Sequence, residues 1–231
     1  HLHLVAYKSG FDPVGALAGV MTLDSLIEEE IEPAFDPELG YLTASPAGVG
    51  TGLILSVHLH LPGLVLAGEI EKVCNALNQL QFKVQGLYGK GRSVRGAIFQ
   101  VSNLVTLGLS EEDLAGDFEF HIGRLIQHEQ SARQQLLARD EVGVLDMAHR
   151  NLAVLRQARL ITSQEAVDRL SHVRLGVDLG LLEGLDNRGL NEALCRIQPA
   201  HLEIAAGCPL PKRKVSSARA DFLRNHLDPV A

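Results

Sequence analysis

The chain has no tryptophan, and its aromatic share is only 4%. Its three cysteines, Cys74, Cys195 and Cys208, are widely spaced and form no Cys-x-x-Cys pair. Neither a disulfide framework nor a cysteine-based zinc site is therefore expected, and reduced thiols in a cytoplasmic protein are. No apolar run approaches the roughly 20 residues that span a bilayer, and the opening His1-Leu2-His3-Leu4 is not a signal peptide. Long basic stripes are also missing. With a formal net charge of -7, that argues against a general binder of nucleic acid or membrane surfaces. The short run Lys212-Arg213-Lys214 reads as a solvated tail. An initiator methionine is absent too, so the chain is expected to be a piece of a longer polypeptide whose N-terminal part is missing.

What is present is apolar residue in quantity: 46% of 231 residues is ample for a real core. Alternation over residues 1–6 predicts a strand, after which Asp12-Pro13 supplies an N-cap and first-turn proline for a helix through Glu30. A short strand is expected near residues 41–43. From Gly52 to Leu61 the alternation is strict, with Leu53, Leu55, Val57 and Leu59 on one side and Ile54, Ser56, His58 and His60 on the other. Leu66, Ile70, Val73, Leu77 and Leu80 recur at helical spacing. Residues 82–88 and 98–103 read as strands around a glycine-bearing loop.

Ser110 with Asp113 forms a capping box for a long helix with the stripe Leu114, Phe118, Ile122, Leu125, Leu136 and Leu137. Another helical run covers about residues 144–160. Thr162 with Glu165 caps a short helix, and Val173, Leu175, Val177 and Leu179 alternate as a strand with Arg174 and Asp178 opposite. Long helices among short strands, without regular βαβ alternation, predict α+β with an antiparallel sheet. One domain over residues 1–231 is expected, with residues 206–231 a C-terminal extension after a linker at 206–217.

Taken alone, the chemistry-bearing patterns are weak. Gly86-Leu87-Tyr88-Gly89-Lys90-Gly91 lacks Walker A spacing, and Gly48-Val49-Gly50-Thr51-Gly52 precedes a strand where a dinucleotide fingerprint would precede a helix. His1/His3 and His58/His60 each place two imidazoles on one strand face. Either they are polar face residues or they begin a metal site, but no carboxylate or cysteine lies near to complete one, and no metal is assigned. Lys90, Arg92 and Arg95 make a basic loop, either solvated or an anion site. Arg174 and Asp178 form an ion pair at most.

A larger pattern lies in the order of several short motifs. They are Gly40-Tyr41-Leu42-Thr43, Val49-Gly50-Thr51-Gly52-Leu53, Gly86-Leu87-Tyr88-Gly89, Phe99-Gln100-Val101-Ser102-Asn103, Val105-Thr106-Leu107-Gly108 and residues 173–180. Together they resemble the ATP:guanido phosphotransferases, and within them the bacterial protein arginine kinase branch, over essentially the whole chain. The resemblance implies the guanidino kinase and glutamine synthetase catalytic-domain fold, an antiparallel sheet flanked by helices. It also implies Mg-ATP as cofactor, an arginine-bearing protein as substrate or partner, and compatibility with an oligomer. By position it places nucleotide contacts at His3, Ile54, Leu55, Ser56, Val57, His58, Gln85, Gly86, Leu87, Tyr88, Gly89 and Lys90.

The chain departs from the family where charge matters. His3, Ile54 and Gln85 stand where the family has arginines. Lys90 and Ser93 stand in a loop that is normally acidic, so no catalytic residue is intact. The family's Cys-Pro-Thr-Asn is Ser45-Pro46-Ala47-Gly48, and of its Arg-Asp-x-x-Arg-Ala motif, associated with phosphoarginine binding, only Arg219-Ala220 persists. Each charge-assisted hydrogen bond contributes about 1.5–3 kcal/mol, so three lost arginines remove about 5–9 kcal/mol of phosphate stabilisation before non-additivity. Glutamine donates only a neutral bond and histidine is cationic part of the time. The expectation is a degenerate kinase domain that acts by binding or assembly. The alternative is a kinase with a remodelled site, its arginines supplied by Arg92, Arg95 or an upstream segment.

Overall fold

The computed structural model describes residues 2–89 and 94–228. Helix α1 (Pro13–Glu28) starts where Asp12 accepts a hydrogen bond from the Gly15 N–H at 2.8 Å. A two-residue hairpin follows, β1 (Phe35–Asp36) against β2 (Gly40–Tyr41), antiparallel. Next come β3 (Ser56–His60), α2 (Pro62–Leu66), α3 (Ile70–Gln79), β4 (Phe82–Gly86) and β5 (Ile98–Asn103). The remainder is helical: α4 (Glu111–Arg139), α5 (Glu141–Gln157), α6 (Ser163–Asp178), α7 (Asn187–Arg196), α8 (Pro199–Ala206) and α9 (Lys212–Leu227). Strands β3, β5 and β4 form a sheet in that order. Its pairs are antiparallel: Leu61 bonds Ala97 while Asn103 bonds Leu55, and Leu87 bonds Ile98 while Leu104 bonds Gln81. The class is α+β, as the periodicity predicts.

The chain packs as two compact units. One contains the residues up to Leu59, Glu71–Gln85 and Gln100–His128; the other contains His60–Ile70, Gly86–Phe99 and the residues from Glu129 onward. In the first, the predicted stripe of α4 is inside: Leu114, Phe118, Ile122 and Leu125 are all buried. Phe82 of β4 meets Phe118 with ring centroids 6.0 Å apart. The capping box at its start is present, with the Asp113 N–H donating to Ser110 Oγ.

In the second unit a core is built from α5, α6, α7 and α9, including Leu155, Leu170, Leu190, Ile197 and Leu223. Gly176 lets α6 approach α5, since a Cβ there would stand 2.7 Å from that of Ala148. Two charged side chains of this unit, Glu129 and Arg219, are buried to 3% exposure, and Glu129 is the one that links its elements near the sheet. Its carboxylate accepts from the N–H groups of Gly63 and Leu64 at 2.8 and 2.9 Å, satisfying the first turn of α2, which follows the apolar Leu61 and has no local side-chain cap. Arg133, one turn on, donates to Glu129 at 2.6 Å, to Asp178 at 2.7 Å and to the His60 carbonyl at 2.9 Å.

Several expectations are corrected. Residues 2–6 form no strand, because alternation alone supplies no pairing partner; His1 lies outside the described residues. Residues 52–55 are not strand, Gly52 lying at φ +66°, and β3 begins only at Ser56. The predicted strand at 173–179 is instead the last part of α6 and its cap. Thr162 does cap that helix, accepting from the Glu165 N–H, but the helix is 16 residues long and buried on several sides. Val173, Leu175 and Gly176 are all inside, and such all-round burial mimics alternation. Arg174 donates to Asn191, while Asp178 is taken by Arg133 and Asn187. Lys212, Arg213 and Lys214 are exposed but form the first turn of α9, and the expected linker shrinks to the turn at 207–211. Within 206–231, α9 buries Val215, Arg219, Ala220, Leu223 and Leu227.

Glu129→Ala leaves two backbone N–H groups without their acceptor and removes one of the two carboxylates that hold buried Arg133, so it is expected to cost about 3–5 kcal/mol in urea denaturation. Glu165→Ala, which removes an exposed partner of Arg169, should cost less than about 1 kcal/mol. Equal effects from the two would show that the Glu129 pair is not what holds the α2 turn.

Candidate functional site

The candidate site in the first unit is the exposed side of the sheet. Alternation along β3 turns Ser56 and His58 outward, and along β4 it turns Lys83 and Gln85 outward. Gln100 is the half-exposed residue of an otherwise buried β5. These side chains form a ladder across the strands. Gln85 Nε2 donates to Gln100 Oε1 at 2.8 Å, and Gln100 Nε2 donates to Ser56 Oγ at 2.8 Å. An amide that spends one donor and one acceptor on its neighbours is held in place and neutral. Ile54 stands in the segment just before β3, 54% exposed.

That segment is fixed from behind. Asn103 Oδ1 accepts from the Leu55 N–H at 2.7 Å, and its Nδ2 donates to the carbonyls of Leu53 and Val105. Thr106 donates to the Val49 carbonyl at 2.8 Å, and its own carbonyl accepts from the Thr51 N–H at 2.8 Å. Gly50, at φ +112°, passes so close that a Cβ would stand 2.2 Å from the Thr106 oxygen. Only glycine fits there.

Of the residues expected to touch nucleotide, Ser56, His58 and Gln85 share this face. Leu55 is buried and Val57 half-buried on the opposite side, leaving only their backbone for a ligand. His3 is exposed outside any strand. Gln100 and Lys83 were not anticipated, although period two gives the signal for both: Lys83 is two residues from Gln85, and Gln100 is the polar residue in a run of buried neighbours.

The second unit holds the glycine-bearing loop. A Cβ on Gly86 would stand 2.6 Å from Val94, Leu87 is 37% exposed, and Gly89 has φ +94°. Tyr88 packs against the core and its carbonyl accepts from the Arg95 N–H at 2.8 Å. Asp168 of α6 holds the far side of this stem, accepting from Arg95 NH1 at 2.9 Å and from the Gly96 N–H at 2.8 Å. Arg95 is thus already paired, which weakens its candidacy as a substitute phosphate ligand. Lys90, Arg92 and Ser93 lie outside the described residues.

His60 ends β3 with Nε2 2.8 Å from Ser171 Oγ. Burial, then the Arg174 and Arg133 cations and His172, hold its pKa well below the ordinary 6.5. Burial also lowers that of His172. Among the described residues no three His, Cys, Asp or Glu side chains group as metal ligands. Arg219, the persisting arginine of the C-terminal motif, is 3% exposed and donates to the carbonyls of Ile197 and Ile161 at 2.8 and 3.0 Å. Beside it a cleft of about 420 Å³ is lined by residues including Thr162, Glu165, Lys212, Arg213 and Ser216.

Comparison with known proteins agrees with the motif order. Residues 1–132 match the family described as ATP:guanido phosphotransferase, C-terminal catalytic domain. Residues 141–231 match the protein-arginine kinase McsB C-terminal domain. Similar curated proteins include the protein-arginine kinases of Halalkalibacterium halodurans, 41% identical, and Bacillus cereus, 40% identical, each over 227 residues. Those matches take in 98% of this chain and 64% of each relative's length. Among solved structures, the substrate-free duplicated taurocyamine kinase from Schistosoma mansoni is 20% identical with a TM-score of 0.44, covering 54% of this chain and 16% of its own. Lombricine kinase is 29% identical with a TM-score of 0.38, covering 51% and 30%.

Because Ile54 faces solvent, Ile54→Arg should change stability by no more than about 0.5 kcal/mol. Thermal denaturation checks this, and a large loss would mean the face is closed. A second expectation concerns pH. The unfolded chain protonates His60 and His172 near 6.5 while the folded chain resists, so stability is full above that pH and falls as pH drops below it. Each histidine contributes at most about 1.4 kcal/mol per pH unit, until its folded value is reached. His60→Gln should flatten the slope measured by urea denaturation between pH 7 and 5; an unchanged slope would contradict the assignment.

Proposed function

From the premise that the chain belongs to the ATP:guanido phosphotransferase family, we propose that it is a protein-arginine-kinase-like domain with a degenerate phosphate site. In this reading it acts by binding or assembly and not by phosphotransfer. The observation that carries the proposal is the Ser56–Gln100–Gln85 ladder. Two positions where the family has arginine hold Gln85, committed to a neighbouring amide, and Ile54, which has no donor at all. Phosphoryl transfer depends mainly on positioning and on neutralising charge, and this face offers mostly neutral donors and acceptors. The residues present therefore do not fit a Mg-triphosphate well. They suit a neutral polar edge such as a nucleobase, with Ser56 and His58 at its side.

Support for the second reading, an active kinase with a remodelled site, comes from two observations. The similar curated proteins are named protein-arginine kinases, and Lys83 adds one exposed cation beside Gln85. A single ammonium is a point charge without the bidentate fork of a guanidinium, so the first reading is preferred. A protein partner, or an arginine-bearing protein as ligand, and a cytoplasmic setting belong to the same proposal.

Two measurements on this chain separate the readings. Incubation with γ-labelled ATP and an arginine-rich protein should leave no acid-labile label above background. Calorimetric titration should find ATP, ADP and adenosine within about tenfold of one another, a spread of about 1.4 kcal/mol. Acid-labile labelling, or ATP bound a hundredfold more tightly than adenosine, would establish the second reading.

A further inference from the structure

The first half of α4 buries one face through Leu114, Phe118, Ile122 and Leu125, and on the opposite face it leaves Phe120 59% exposed. A single exposed aromatic is ordinary on a protein surface. This one has open space beside it. Gly116 and Gly123 flank it along the helix, and a Cβ added at either would meet nothing within 4 Å. Together with Gln127 these residues recur at intervals of four, three and four, which is the spacing of a seam between two helices. Glycine weakens a helix interior, and neither of these glycines makes room for another described part of the chain.

Charge decides what fits the seam. Residues 111–119 hold Glu111, Glu112, Asp113, Asp117 and Glu119 and no base, while Arg124 follows Asp117 by seven residues, on the same flank of Phe120. Asp117 and Arg124 are both exposed, and the Arg124 guanidinium lies over the Phe120 ring, 5.8 Å from its centre. A second α4 laid parallel would bring the acidic ends of the two copies side by side. Laid antiparallel, by a two-fold axis that keeps like flanks together, it sets Phe120 of each copy over Gly123 of the other. The same axis puts Asp117 of each copy beside Arg124 of the other, and the helix dipoles oppose. The face is therefore complementary to itself in shape and in charge.

We propose that this face of α4 docks a second copy of the chain, antiparallel, with Phe120 seated over Gly123 and Asp117 paired with Arg124 across a two-fold axis. A contact of about three helical turns falls short of the roughly 1,200 Å² buried in a stable complex, so the dimer is weak and forms as concentration rises. Its formation needs neither nucleotide nor phosphate.

Sedimentation equilibrium of this chain tests the proposal. The unmodified chain should pass from monomer to dimer with rising concentration. In a homodimer Asp117→Arg and Arg124→Glu each set like charges against one another, and Gly123→Leu fills the space that receives Phe120. Each should raise the dimer dissociation constant at least about tenfold, with circular dichroism showing that the variant is folded. An equimolar mixture of Asp117→Arg with Arg124→Glu should regain the association of the unmodified chain, because only the mixed pair matches both charges. A chain that stays monomeric throughout, a dimer indifferent to the single changes, or a mixture that associates no better than its components would overturn the proposal.

Discussion

The Glu129–Arg133 pair is the constraint on which the second unit's entry into its helices depends. Removing a carboxylate and a guanidinium from water costs several kcal/mol per ion, and only good geometry with every valence used offsets it. Here the geometry is good. Glu129 spends both oxygens on the N–H groups opening α2, and Arg133 spends its fork on Glu129, Asp178 and the His60 carbonyl. The end of β3, the start of α2, the middle of α4 and the end of α6 are therefore set by two side chains one helical turn apart.

The sheet face shows the opposite economy. Its Ser56–Gln100–Gln85 ladder is neutral and its members satisfy one another, so the ladder needs no ligand. A cluster of arginines in the same place would repel itself and would need an anion to be comfortable. In the proposed reading, a ladder of amides in place of such a cluster offers less to a phosphate and does not need one. This is why the degenerate reading is physically coherent and more than a list of missing charges.

Much of the fold was legible in the sequence because its signals are local. The cap at Asp12, the box at Ser110–Asp113 and the stripe of α4 each declare themselves within a few residues. Residues 173–179 failed for a related reason: a helix packed on several sides loses the polar face that marks it, and period two emerges by chance. Residues 2–6 failed because a strand is a property of a pair. At the candidate site, Ile54 and Gln85 could be read by position, whereas Gln100 required knowing that β5 lies between β3 and β4. The engagement of Arg95 by Asp168 was out of reach entirely, since 73 residues separate the two in sequence.

Motif residues also persist for reasons other than ligand contact, and Arg219 shows how. It survives in a stretch otherwise unlike the family's Arg-Asp-x-x-Arg-Ala, which by itself could suggest a remnant of phosphoarginine binding. Its guanidinium is instead buried and spends its donors on the Ile197 carbonyl at the end of α7 and the Ile161 carbonyl just before α6. Losing it would leave two carbonyls without those donors and a cavity beneath α9, whatever the ligand. Asn103, Thr106 and Gly50 follow the same rule around the segment that carries Ile54: each is held by backbone it supports, not by a substrate. Arg219, Asn103, Thr106 and Gly50 are thus parts of the pattern that the fold itself uses.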